Sequence, residues 1–173
     1  MKKYLITSSE FCEEQLQTYM PEYVLYRDKT TPHYETQAEH FMEVCSKFLE
    51  IKSFIHQNVK LAHKLSATGV HLTSMQFEEI SLAKELGLEV IISTHTHAEV
   101  LKAESLGADA VTYSPIFVSP EKGEPKGVED LRELLKKCKI KVFALGGIVE
   151  ASHVEAIKKT NAYGFASIRY FTN

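Results

Sequence analysis

Four cationic residues stand where short apolar runs end. Arg27 and Lys29 follow the run Tyr23 to Tyr26, Arg169 follows the run Tyr163 to Ile168, and Lys122 sits in the loop opened by Ser114-Pro115-Ile116-Phe117. Such groups suit oxyanions, because the arginine fork meets phosphate oxygens in pairs and lysine supplies a compact charge. A second feature of this kind is Leu145-Gly146-Gly147-Ile148, where an apolar run breaks into a glycine pair. Its backbone amides, with the start of a following helix, suit a phosphate; the pair reads equally as a tight turn that lets helix and strand pack. The chain carries 20 Lys+Arg against 23 Asp+Glu, a formal net charge of -3. Four cations gathered at one place in such a chain predict an anionic ligand with several phosphate oxygens.

Polar residues of other types end the remaining runs. His56, Gln57 and Asn58 stand at the end of the third run, His71, Thr73 and Ser74 at that of the fourth, and Ser93, Thr94 and His95 at that of the fifth, while Ser167 lies one residue before the end of the eighth. His56, His71 and His95 have the residue type of a three-histidine zinc site, but hydrogen-bonded core or substrate-contacting imidazoles are the commoner use of such positions, and no metal ligand is assigned. Asp28 reads as a carboxylate that orients its cationic neighbours, and Tyr113 as a side chain filling the interior. His33, His40, His63, His97 and His153 fall on helical stretches or their starts, where exposure is expected.

Something must bring these strand ends together. Eight runs rich in Val, Ile, Leu and Tyr recur at Lys3 to Thr7, Tyr23 to Tyr26, Ser53 to His56, Val70 to Leu72, Val90 to Ser93, Ala110 to Tyr113, Val142 to Leu145 and Tyr163 to Ile168, and they predict strands. Between them Ala38, Phe41, Met42, Cys45, Phe48 and Leu49 keep helical spacing, as do Val128, Leu131, Leu134, Leu135 and Cys138. Thr31 before Pro32 suits a helix start, and Gly87 and Gly107 suit helix ends. Eight such repeats predict an α/β fold, a (β/α)8 TIM barrel of parallel strands occupying residues 1–173 as one domain. A doubly wound open sheet would want a glycine fingerprint after the first strand, where the chain reads Thr7-Ser8-Ser9-Glu10. Only Tyr170-Phe171-Thr172-Asn173 follow the last strand, so the eighth helix is missing. Phe165 is then expected to meet water, and a homodimer to cover it. In a barrel of this type the C-terminal face gathers all the residues named above into one mouth, with phosphate expected after strands 7 and 8.

Composition narrows the partners. The slight negative charge gives no reason to expect nucleic acid or an anionic membrane. Cys12, Cys45 and Cys138 are far apart and form no paired motif, which argues against disulfides and points to a reducing cytoplasm; Cys45 and Cys138 fall on apolar helical stripes and read as buried thiols. The amino-terminal apolar run is too short for a signal peptide, and no stretch reaches membrane-spanning length.

At Tyr26-Arg27-Asp28-Lys29, Gly69-Val70-His71-Leu72, Ser93-Thr94-His95-Thr96, Ser114-Pro115-Ile116-Phe117 with Lys122, and Leu145-Gly146-Gly147-Ile148, the chain resembles the thiamine phosphate synthase family and its sister branch of thiazole tautomerases, in order and approximate spacing from strand 1 to strand 8. The resemblance implies a barrel that joins a pyrimidine methyl diphosphate to a thiazole phosphate and releases diphosphate. It places Arg27, Lys29 and Lys122 on the leaving diphosphate as catalytic residues and Ser93 on the diphosphate or the reacting methylene region. Ser119 falls at the thiazole-holding position, and Gly146 and Gly147 at the thiazole phosphate. His56, Asn58, His71, His95, Ser167 and Arg169 complete the implied substrate-binding set. The family's magnesium is held by an Asn-Asp pair after strand 3 and an acid after strand 4, whereas this chain reads His56-Gln57 and Gln76 there; magnesium is thus implied by resemblance without its usual ligands. The glutamine that reads the pyrimidine is Leu25, and the proton-shuttling histidine of the tautomerases is Pro115. An isomerase of the tautomerase type and a non-catalytic binder of phosphorylated thiamine precursors are the alternative readings.

Overall fold

β-Branched and aromatic side chains form eight strands in the computed structural model, which describes residues 1–8 and 11–172. They are β1 (Lys2–Thr7), β2 (Tyr23–Tyr26), β3 (Lys52–His56), β4 (Gly69–Leu72), β5 (Glu89–Thr94), β6 (Ala110–Tyr113), β7 (Lys141–Leu145) and β8 (Gly164–Ser167). Each is parallel to its neighbours, and the pairing of Leu5 with Val24 on one side and Ser167 on the other closes the barrel. Of the turn Thr7-Ser8-Ser9-Glu10, Ser9 and Glu10 lie outside the described residues, as does Asn173.

Alternation along each strand separates two apolar clusters. Tyr4, Ile6, Tyr23, Leu25, Phe54, Ile91, Ala110, Phe143 and Ala166 fill the barrel, and the residues of opposite parity pack under the helices. Large rings plug the N-terminal end: Tyr4 packs against Phe143 at 5.1 Å between centroids and Tyr23 against Phe143 at 5.0 Å. Gly69 and Gly164 make room for them. A Cβ on Gly69 would stand 2.6 Å from the Phe54 ring and 2.2 Å from the Glu89 carbonyl oxygen, and one on Gly164 2.7 Å from the Phe143 ring. Tyr113 has the other parity and does not fill the barrel as expected; it faces the helices.

The helices are α1 (Glu13–Tyr19), α2 (Tyr34–Cys45), α3 (Val59–Lys64), α4 (Ile80–Glu85), α5 (His97–Ser105), α6 (Gly127–Lys137) and α7 (Ala151–Lys158). Gly87 and Gly107, at φ 78° and 89°, follow the ends of α4 and α5 as predicted. Thr31 and Pro32 do not start α2: the Thr31 hydroxyl oxygen accepts from the His33 amide, holding a turn, and the helix begins at Tyr34. That helix also ends before Phe48 and Leu49, and Leu49 is 97% exposed, off the stripe to which its spacing assigned it. Cys45 is buried, which pushes its thiol up to about 12, but Cys138 caps α6 and is only half-buried. His97 and His153, expected to be exposed, are half-buried, His97 against Asp130 and His153 against the Phe117 ring.

Among the described residues no α-helix follows β8. Residues Arg169–Phe171 form a 3-10 turn that carries Phe171 back onto the barrel, its ring stacked 5.8 Å from that of Phe165. Tyr170 meets the same ring edge-on at 5.2 Å, and the Gln15 side-chain amide donates to the Phe171 carbonyl, tying the turn to α1. Phe165 is therefore 2% exposed and does not meet water. Two aromatic side chains, Tyr170 and Phe171, cover that ring within one chain, so Phe165 offers no open apolar surface for a partner copy. No helix among the described residues is long and apolar enough to cross a membrane.

Candidate active site

The strands all point their C-terminal ends at one cavity of about 410 Å³. Its apolar wall is made by Ile6, Leu25 and Leu145, the last inward-facing side chains of β1, β2 and β7, with Ile148 from the turn after β7. Above them, β2 delivers Arg27 and Lys29, the loop after β6 delivers Ser119 and Lys122, and the turn after β8 delivers Arg169. The four cations predicted to share a mouth share it. Among the described residues, no aspartate or glutamate lines this cavity.

Charges placed so closely disturb one another. Burial draws the Arg27 guanidinium below its ordinary value, and the Lys29 ammonium is lowered by the Arg27 charge first, then by burial and by Lys122. An incoming oxyanion relieves that repulsion. The same field keeps the histidines neutral: burial, with Arg27 and Lys29 behind it, holds His56 down at about 4, and burial, His56 and Arg27 hold His71 at about 3. Asp28 does not simply orient its cationic neighbours, since its Oδ1 accepts from the Thr30 amide and hydroxyl and the Thr31 amide, shaping the loop that carries them.

The remaining predicted residues separate by what their polar atoms already do. His71 is buried, with Nδ1 2.8 Å from the Tyr4 hydroxyl and Nε2 3.0 Å from the Ser93 hydroxyl. With both nitrogens engaged it has none left for a metal, and no described group of three His, Cys, Asp or Glu residues could hold one. His95 is exposed on the rim, its Nδ1 3.2 Å from the Ser114 carbonyl oxygen. Ser167 lines the wall, but its hydroxyl donates to the Ile148 carbonyl and accepts from the Tyr170 amide, a tie between β8, the turn after β7 and the terminal 3-10 turn. Asn58 is not in the cavity: its side-chain oxygen accepts from the Leu61 amide and caps α3, which explains its place just after a strand without any ligand.

Gly146 and Gly147 adopt φ 102° and 70°, and a Cβ on either would strike the β6 loop, at 2.7 Å from Pro115 Cα and 2.5 Å from the Val118 carbonyl oxygen. Both lie on the cavity wall together with Ile148, whereas α7 begins beyond it at Ala151. Packing thus accounts for the glycines, and a phosphate there would meet the turn rather than the helix start.

Magnesium does not fit this set of donors. Gln76, at the position of a family acid, spends its side chain on the Thr73 amide, the Gln57 carbonyl and Glu79. His56 offers a neutral imidazole, and the wall supplies hydroxyls and ammonium groups but no described carboxylate, whereas a hard cation of this size is ordinarily anchored by one or two carboxylates. Tyr4, which reaches His71 from beneath, was not singled out from the sequence; its only signal there is a tyrosine at the inward parity of the first strand.

The model of the thiamine monophosphate synthase family matches residues 3–171. The thiamine-phosphate synthase of Thermosynechococcus vestitus is 32% identical over 180 residues, which cover 97% of this chain and 50% of that protein. That of Lactococcus lactis is 31% identical over 158 residues, covering 85% and 72%. The first curated relatives are longer than the part that aligns, which spans 64%, 51%, 65%, 49% and 50% of their lengths. Thiamine phosphate pyrophosphorylase from Pyrococcus furiosus superposes with a TM-score of 0.82 at 23% identity, covering 99% of this chain and 90% of that one, a likeness of fold.

Proposed function

Because this chain belongs to the thiamine monophosphate synthase family, we propose that it joins hydroxymethylpyrimidine diphosphate to thiazole phosphate, releasing diphosphate and forming thiamine phosphate. The observation that carries the reading is the cavity in which Arg27, Lys29, Lys122 and Arg169 converge with no described carboxylate among them. In this reaction the bond from the pyrimidine methylene to the diphosphate oxygen breaks, and its electron pair leaves with the diphosphate. Cations already fixed around that oxygen lower the barrier without having to reorganise. The methylene carbon, left electron-poor, is captured by the thiazole nitrogen, and the apolar wall of Ile6, Leu25, Leu145 and Ile148 keeps water from that carbon. The same four cations do for the leaving group what the family's magnesium does elsewhere, so no step here runs through a metal. The free thiols support a cytoplasmic setting.

The decisive experiment supplies both phosphorylated precursors and follows thiamine phosphate. Product is expected, with Arg27→Ala or Lys122→Ala slowing its formation in a folded protein. Leu25, in place of the family's pyrimidine-reading glutamine, favours a second reading, a binder of these precursors that does not turn them over. Saturable binding without product would establish the binder and end the synthase reading. The tautomerase alternative draws no support from Pro115, which has no titratable group.

A further inference from the structure

Tyr4, His71 and Ser93 form a chain of hydrogen bonds that crosses the barrel interior from β1 through β4 to β5 and ends on the cavity wall. The Tyr4 hydroxyl is fully buried among the rings of Tyr23, Phe54 and Phe143, and among the described residues His71 Nδ1 is its one hydrogen-bond partner. Burial, and after it Tyr23, raise the phenol well above its ordinary value, so it keeps its proton. A buried O–H without an acceptor is costly. If the ring carried its proton on Nδ1, the Tyr4 proton would have only aromatic faces to meet. In the favourable arrangement the Tyr4 O–H donates to an unprotonated Nδ1, and the neutral ring carries its proton on Nε2, which then donates to Ser93 Oγ. Ser93 Oγ, having accepted, has its own proton free for the cavity.

We propose that Tyr4 is a positioning residue for Ser93: it fixes the Nε2–H tautomer of His71, and through it presents the Ser93 hydroxyl to the cavity as a donor to a bound diphosphate oxygen rather than as a nucleophile. The inference rests on the proposed function for the class of anion. It does not rest on turnover.

Two measurements without catalysis test it. In protein labelled with 15N at histidine, His71 is expected as the neutral Nε2–H tautomer, and Tyr4→Phe is expected to shift the ring toward Nδ1–H. Inorganic pyrophosphate should bind about tenfold more weakly to Ser93→Ala. Tyr4→Phe should weaken it in the same direction, and the double variant should lose no more than Ser93→Ala alone. A His71 ring carrying its proton on Nδ1 in the unaltered protein overturns the proposal, as does undiminished pyrophosphate affinity in Ser93→Ala. Should Tyr4→Phe fail to fold, the spectrum of the unaltered protein and the Ser93→Ala affinity still decide. Absence of thiamine phosphate synthesis, with these two results as expected, would remove the synthase reading and leave this one standing.

Discussion

At the N-terminal end of the barrel every strand-starting lysine has a partner: Lys52 meets Glu89 at 2.6 Å, Lys2 meets Glu22 at 3.7 Å, and Lys141 lies 5.0 Å from the centre of the Tyr163 ring. At the C-terminal end Arg27, Lys29, Lys122 and Arg169 face a shared cavity, and three of them lie close enough for two to lower the ammonium of the third. One end is plugged by rings, and its strand-starting lysines are partnered. The other is open and left with an excess of positive charge. A folded chain keeps like charges together at a cost, and the cost is understandable where a ligand supplies the missing negative charge. Charge density alone does not mark the site, since both ends carry cations; what differs is whether the chain supplies the strand-end cation with a partner, a carboxylate or a ring.

The contrast can be broken first at the plugged end. Phe54→Ala removes a ring that fills the space left by Gly69, and it should cost about 3–5 kcal/mol in denaturant unfolding while pyrophosphate affinity is retained in the folded fraction. A parallel loss of affinity would mean that the two ends are not separable. At the open end, Arg27→Ala should lower turnover by about 10²–10³, roughly 2.7–4 kcal/mol in the barrier, with no loss of folding stability, because a repelling charge is removed. Unfolding of that variant would assign Arg27 a structural role instead.

Pyrophosphate at a hundredfold excess over its Kd should stabilise the protein by about 2.7 kcal/mol in thermal unfolding. The Kd should rise with added salt, and replacing EDTA by magnesium should not tighten binding. Stronger binding with magnesium would show that the wall holds a metal after all. A pH series probes the field that the cations create. His56 and His71 are held at about 4 and about 3, below the ordinary 6.5, so between those values the unfolded chain binds more protons than the folded one. Stability should therefore fall as pH drops from 6.5 to 4, by up to about 1.4 kcal/mol per pH unit for each histidine, and be flat with respect to them above 6.5. A flat profile from 6.5 to 4 would contradict their burial as neutral rings. The smallest effect is expected from Lys141→Ala, within about 0.5 kcal/mol in stability and none in pyrophosphate affinity; a weakened affinity would show that cations at the far end contribute to the anion field.

The eight strands and the gathering of Arg27, Lys29, Lys122 and Arg169 were legible in the sequence because both depend on local order: apolar runs mark strands, and parallel strands put every run's C-terminal end on one face. Parity was not legible. In a barrel both faces of a strand are apolar, so nothing in the run Ala110 to Tyr113 tells which side chains enter the barrel, and Tyr113 turns out to face α6, its hydroxyl donating to Asp130. Asn58 follows a strand as a ligand-binding residue would, and only the start of α3 shows that its oxygen is used as a cap. The burial of Phe165 was not legible either, because it depends on Phe171 folding back over it, a contact between rings six residues apart that requires the turn at Arg169. The link from Tyr4 to His71, 67 positions apart, exists because β1 and β4 face one another across the interior. Sequence by itself determined the repeat, the strand ends and the sign of the mouth, since each follows from neighbouring residues. Closure of the sheet decided which side chains meet across the barrel, because a contact between distant strands is set by register and parity that no local pattern carries.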